Sequence, residues 1–203
     1  MNRAQAFAAN APLMGVPGAS SPPGGKGEWY RGAGGMRLRA AIWKPSHLTA
    51  EQPRGTVVLS PGRTEPIEKY FEVIGNFLAR GWCVLTHDWR GQGLSARLLP
   101  DRLKGHARAV EEFLDDYGRL LDAFEDQCPK PWIMVGHSMG GMIVQEMVRL
   151  APTRVDRLVL YGTGPLGLLP GRFETMARSR ERLAEDGVDA TARRISATWL
   201  LHR

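Results

Sequence analysis

The chain has 203 residues, a length that fits one domain with a sizeable hydrophobic core. Hydrophobic residues make up 43% and charged residues 24%, as in ordinary soluble globular proteins. No run of 18 apolar residues occurs, which excludes a predicted membrane-spanning helix. The two cysteines, Cys83 and Cys128, form neither a disulfide framework nor a metal-binding motif. We therefore expect a reducing, cytoplasmic location and neither a cofactor nor a metal.

The net charge of +6 is concentrated near the N-terminus, where residues 1–50 hold six Lys or Arg against one acidic residue. Residues 1–27 are rich in Ala, Gly, Pro and Ser, so we interpret them as a flexible leader. Such a basic leader is suited to peripheral contact with an anionic membrane surface. A poorly ordered extension without a partner is the simpler alternative. No motif supports nucleic-acid binding.

Secondary structure is predicted to alternate regularly from residue 28 onward. A hairpin is expected over residues 28–43, with its Gly-rich turn at 32–35. Short, continuous apolar runs predict buried strands at 56–59, 82–86, 132–135 and 158–161. Amphipathic patterns predict helices at 66–80, 106–127 and 139–150.

This alternation is typical of an α/β protein whose mostly parallel sheet carries helices on both faces. We assign residues 28–164 to the N-terminal part of the α/β core. Residues 165–203 contain no buried-strand pattern, and we interpret them as the start of a helical cap.

Gly136-His137-Ser138-Met139-Gly140 is a complete G-x-S-x-G motif between a predicted strand and a predicted helix. The motif forms a sharp turn in which side chains at Gly136 and Gly140 would collide with neighbouring backbone, and the side chain of His137 must point away. The turn lifts the Ser138 hydroxyl above the carboxyl edge of the sheet, next to helix N–H groups that favour negative charge. We therefore expect Ser138 to be the nucleophile of an ester-cleaving enzyme.

A second loop, residues 60–65, follows the first buried strand and is expected to lie beside the nucleophile. In this arrangement it donates one oxyanion N–H, and the residue after the serine donates the other. We assign these donors to the backbone N–H groups of Arg63 and Met139. The Pro61-Gly62 pair is also compatible with a plain type II turn. In the next loop, Asp88 and Arg90 are expected to pair with each other in a structural role.

Taken together, these motifs resemble the bacterial lysophospholipases related to monoacylglycerol lipases. The matching segments are residues 61–65, 68–70, 88–95, 105–106, 116 and 136–141. The resemblance covers about residues 28–161 and implies an α/β-hydrolase fold, a Ser-Asp-His triad and cleavage of fatty acyl esters, in some members at the inner face of the membrane. It implies the same roles for Ser138, Arg63 and Met139, and places His106 outside the triad. After Tyr161 the pattern is more similar to the cap of esterases and enol-lactonases, which leaves the substrate open.

The triad acid and base are not assigned. Only 42 residues (162–203) follow Tyr161, whereas one βαβ unit takes about 30 or more. We therefore expect the chain to stop within the cap and to show little or no esterase activity alone. A peptidase or lactonase, or a catalytically inactive module that depends on a partner, is the alternative. The last strand would be an exposed edge that favours self-association, although the oligomeric state itself is not predicted.

Overall fold

The computed structural model describes residues 10–15, 18–46 and 52–164, together with 177, 178, 180–187, 190 and 193. Two compact units divide the chain after Pro165. The strands of the first unit are β1 (Lys26–Arg31), β2 (Arg37–Trp43), β3 (Thr56–Ser60), β4 (Cys83–His87), β5 (Trp132–His137) and β6 (Arg157–Tyr161). Its helices are α1 (Phe71–Ala79), α2 (Glu111–Phe124) and α3 (Met139–Leu150). In the second unit, residues 180–187 are helical.

A single six-stranded sheet in the order β1-β2-β4-β3-β5-β6 organises the first unit. The first two strands form the expected antiparallel hairpin, and β2 also runs antiparallel to β4. The other neighbours, from β4 through β3 and β5 to β6, are parallel. The expected mostly parallel sheet is therefore confirmed. Its parallel strands end at one edge, which brings the loops after β3, β4 and β5 together.

Apolar side chains cover both faces of the sheet. One core cluster joins the sheet to α2 and α3, and the other joins it to α1. Every residue of β3 and β4 is buried, because each of these strands has neighbours on both sides and helices above and below. The continuous apolar runs in the sequence reflect this two-sided burial. Among the described residues, no helix combines the length and apolarity needed to cross a bilayer.

Three expected elements differ in the structure. The first predicted helix begins with a 3-10 turn over Ile67–Tyr70 and continues as α1. The second begins only at Glu111, because residues 105–110 form a loop that lines a cleft. Strand β6 forms where expected, but all five of its residues are exposed. It is the outermost strand of the described sheet and pairs with β5 alone, so the burial predicted from its apolar run was wrong, whereas the exposed edge expected for the last strand is confirmed.

The N-terminal segment also differs from the expected flexible leader (residues 1–27) in its described part. Ala11 is buried, and its N–H donates to the carbonyl of Gly27 at 2.9 Å. The carbonyl of Pro12 accepts a hydrogen bond of 2.9 Å from the guanidinium of Arg39. This arginine is itself buried in ion pairs, so it contributes nothing to a basic surface. The described part of the segment is packed onto the sheet through backbone hydrogen bonds.

Candidate active site

The backbone turns sharply at Ser138, between β5 and α3. Its φ of +51° and ψ of −120° place a non-glycine residue in a strained, sparsely populated region. The residue caps α3 rather than lying inside it, and it is only partly buried. The sharp turn predicted from the sequence motif is confirmed. A strained serine at a helix N-terminus is the geometry of a nucleophile elbow.

The glycines on either side of the serine are required by close backbone contacts. A Cβ on Gly136 would lie 2.5 Å from the Cα of Gly141. A Cβ on Gly140 would overlap the carbonyl oxygens of Ser60 and Pro61. These contacts confirm the expected reason for glycine at both positions. They also mean that the loop after β3 lies directly against the start of α3.

The elbow is also hydrogen-bonded to the end of β6. The N–H of Ser138 donates to the carbonyl of Tyr161 at 3.1 Å. The hydroxyl of Thr163 donates to the carbonyl of Ser138 at 2.8 Å. The strained residue is therefore fixed on both sides of its Cα by the neighbouring strand and the residues that follow it.

Two buried contacts fix the loop after β3 (residues 60–65). The indole N–H of Trp89 donates to the carbonyl of Pro61 at 2.7 Å. The N–H of Gly62 donates to the carboxylate of Glu65, also at 2.7 Å. Both bonds are shielded from water, so they hold the loop in one conformation beside α3.

The amides at the tip of this loop differ in their partners. The N–H of Thr64 donates to the side-chain carbonyl of Gln92, whereas no acceptor within the described residues takes the N–H of Arg63. The N–H of Met139 belongs to the first turn of α3, where amides have no intrahelical acceptor. Both amides assigned to the oxyanion hole are thus available. The positive φ of the turn lies at Thr64 (+65°) and not at Gly62, so the alternative of a Pro-Gly type II turn was wrong.

Glu65 connects this loop to the elbow. Its largely buried carboxylate accepts hydrogen bonds from the hydroxyl of Tyr70 at 2.5 Å and from Lys69, and its Oε2 lies 2.8 Å from Nδ1 of His137. Burial raises the pKa of Glu65, but the hydrogen bonds from Lys69, Tyr70 and His137 outweigh it and lower the pKa to about 2. The imidazole of His137 also stacks on Tyr161, with ring centroids 5.4 Å apart. As expected, this side chain is not bonded to the serine.

Three ion pairs hold the loop after β4, two of them buried, but none is the predicted one. Asp88 pairs with Arg39 at 2.7 Å, and Arg90 pairs with Asp116 at 2.5 Å and with Glu112 at 2.8 Å. Asp88 also accepts the N–H of Ile67 before α1, whereas both carboxylates that Arg90 contacts lie on α2. The expected Asp88–Arg90 pair was wrong, because each side chain is bonded to other partners.

No described histidine is hydrogen-bonded to Ser138. His87 is fully buried, and neither of its ring nitrogens has a hydrogen-bond partner in the described part of the chain. Burial lowers its pKa to about 3, so it is a neutral core residue and not a base at the rim. His106 is exposed on the wall of the cleft. The other two, His47 and His202, lie outside the described residues, and the base stays unassigned.

A cleft of about 340 Å³ opens beside the elbow. It is lined by Arg63, Arg90, Gln92, residues 105–110, Phe113 and Met139. Its wall therefore combines apolar side chains such as Phe113 with the cationic side chains of Arg63, Arg90 and Arg108. Within the described residues, no three His, Cys, Asp or Glu side chains are grouped to hold a metal ion.

The sheet order and the serine elbow together define an α/β-hydrolase, and solved structures support this class. A carboxyl esterase from Bacillus coagulans is 24% identical with a TM-score of 0.61, and the match covers 81% of this chain and 52% of that one. An esterase from Exiguobacterium antarcticum is 16% identical with a TM-score of 0.62, covering 80% and 56%. At these identities the similarity establishes the fold.

The family follows from the sequence match. The family model described as serine aminopeptidase, S33, matches residues 51–185, and the chain belongs to this family. A monoacylglycerol lipase from Mycolicibacterium smegmatis is 35% identical over 134 residues, covering 66% of this chain and 45% of that protein. Lysophospholipase L2 from Escherichia coli K12 is 38% identical over 135 residues, covering 64% and 38%. The matches thus span less than half the length of these curated relatives.

Proposed function

We propose that this chain carries the nucleophile of a serine hydrolase that cleaves fatty acyl esters, of the lysophospholipase type. The observation that carries this proposal is the strained Ser138 at the start of α3, against which the loop after β3 packs. This loop contains the N–H of Arg63, for which no acceptor is found among the described residues. The names of the relatives, a monoacylglycerol lipase and a lysophospholipase, support a lipid ester as substrate. The partly apolar cleft beside the elbow is suited to an acyl chain.

The chemistry follows from the positions of these groups. The hydroxyl of Ser138 attacks the acyl carbonyl while a histidine base, which is not assigned, accepts its proton. The carbonyl oxygen becomes negatively charged and accepts hydrogen bonds from the N–H groups of Arg63 and Met139. One such donor contributes about 3–4 kcal/mol to lowering the barrier. The alcohol leaves with a proton, and water then hydrolyses the acyl-serine to release the fatty acid.

A peptidase is the second candidate, because the matching family is described as serine aminopeptidase. The named relatives favour the ester substrate over it. The two cysteines are free and buried, which supports the proposed cytoplasmic location. Peripheral contact with a membrane surface is part of the same proposal, since the substrate is a lipid.

The test is a substrate panel of a monoacylglycerol, a lysophospholipid, an aminoacyl anilide and a lactone. Because the triad acid and base are unassigned, we expect this chain alone to cleave esters slowly at most, near the residual acceleration of about 10³–10⁴-fold over water that remains without a triad. Any ester turnover above the rate of Ser138→Ala should be retained in the control Ser46→Ala, which alters an exposed serine. Ester turnover above that residual rate that Ser138→Ala retains in full, or faster cleavage of the anilide or the lactone, would contradict the proposal.

A further inference from the structure

The loop between β4 and α2 exposes apolar side chains next to basic ones. Leu103 is 96% exposed, the highest value among the large hydrophobic side chains of the described residues, and Val110 is 61% exposed. Arg102 and Lys104 flank the leucine, and both are exposed. A single exposed leucine is common on protein surfaces, so the distinctive feature here is its position between two exposed cations.

The charge of this loop is strongly positive. Residues 97–110 contain four Lys or Arg and a single acidic residue, Asp101. The ion pair of Lys104 with Asp101 is 3.5 Å long and exposed at both ends, so it neutralises little. Arg97 donates to backbone carbonyls rather than to a carboxylate. Arg108 pairs with Glu112 at 3.6 Å, so the basic charge most available to an anionic partner is that of Arg102 and Lys104.

The same loop leads into the cleft beside Ser138. Its last part, residues 105–110, forms one wall of the cleft. The guanidinium of Arg63 donates to the carbonyl of Gly105 at 3.0 Å, which joins the loop to the proposed oxyanion loop. A surface that contacts Leu103 would therefore lie near the mouth of the cleft.

We propose that residues 97–110 dock the protein on an anionic lipid surface. Leu103 enters the boundary between head groups and acyl chains, while Arg102 and Lys104 contact lipid phosphates. Charge complementarity and an exposed aliphatic side chain favour a lipid surface over a protein partner. This inference rests on the proposed function in one respect, since it places the cleft where a lipid ester would enter.

The test is co-sedimentation of the full chain with phosphatidylcholine vesicles that contain, or lack, about one third phosphatidylglycerol. We expect binding to the anionic vesicles only, and weaker binding at about 500 mM salt. Arg102→Gln and Lys104→Gln should each lower the affinity about fivefold, and Leu103→Asp about tenfold. The matched controls are Leu150→Asp, which alters an exposed leucine at the end of α3, and Arg119→Gln, which alters an exposed arginine of α2.

Three results would overturn the proposal: no binding to anionic vesicles, equal binding to neutral ones, or equal losses in the loop variants and in the controls. Binding to a protein partner that Leu103→Asp abolishes, without vesicle binding, would also overturn it. Sedimentation does not depend on turnover, so Ser138→Ala should bind vesicles like the unmodified chain. Vesicle binding together with ester turnover above the residual rate that Ser138→Ala leaves unchanged would therefore refute the proposed function and leave the docking surface intact.

Discussion

Replacing Glu65 with glutamine tests how the proposed oxyanion loop is held. The carboxylate is largely buried and accepts hydrogen bonds from Gly62 and Tyr70. Lowering its pKa from 4.5 to about 2 corresponds to at most about 3 kcal/mol of stabilisation. The side chain of Lys69, one of the groups responsible, is 57% exposed and screened, so we expect Glu65→Gln to cost about 2 kcal/mol at pH 7.

The pH dependence of this loss provides the sharper test. Because the pKa of Glu65 is lower in the folded state, its stabilisation is fully present above about pH 4.5 and disappears as the pH falls towards 2. Urea unfolding followed by circular dichroism should show the difference between the unmodified chain and Glu65→Gln shrinking over that range. The control Glu72→Gln alters an exposed carboxylate of α1 and should change stability by less than about 0.5 kcal/mol. A difference that stays constant with pH, or is absent at pH 7, would refute the reasoning.

Three further predictions follow from contacts described above. Gly140→Ala should lower the free energy of unfolding in urea by about 1–3 kcal/mol, because the added Cβ would overlap two carbonyl oxygens. The control Gly118→Ala on α2 should not destabilise the fold, and equal effects of the two substitutions would contradict this reasoning. Because the pKa of His87 is lowered to about 3, stability should fall as the pH drops from about 6.5 towards 3, and His87→Phe should remove that loss. Val159→Lys on the exposed β6 should reduce self-association in light scattering, and an unmodified chain that is monomeric throughout would refute this.

Much of the fold could be predicted because its signals are local. Each short apolar run marked a strand, and α3 was predicted with its observed bounds, residues 139–150. The predicted start of α2 was too early, since residues 105–110 have a helix-compatible composition but line a cleft. The apolar run of β6 wrongly indicated burial, because such a run does not show how many neighbours a strand has; its exposure followed instead from its place as the last predicted strand.

In the candidate site, too, local features could be predicted from the sequence and contacts between distant residues could not. The elbow at Ser138 was predictable, because a five-residue motif determines its backbone. The contact between Glu65 and His137 was not, since it joins residues 72 positions apart that only the sheet brings together. Likewise, Asp88 and Arg90 are two positions apart in sequence, yet their side chains pair with different residues, Arg39 and Asp116. Pairing across a fold depends on which face each side chain occupies, and a sequence pattern does not record this.

The hydrogen bonds that join Ser138 to the end of β6 have a consequence for its dynamics. Native proteins open locally, and weakly packed margins open at lower free energy than the centre. The amide of Ser138 donates to Tyr161, so its exchange with deuterated water should follow fraying of the sheet margin rather than global unfolding. Its protection factor would then measure how firmly the reactive residue is held. A partner or ligand that covers β6 should slow hydrogen exchange of the Ser138 amide without contacting the serine itself.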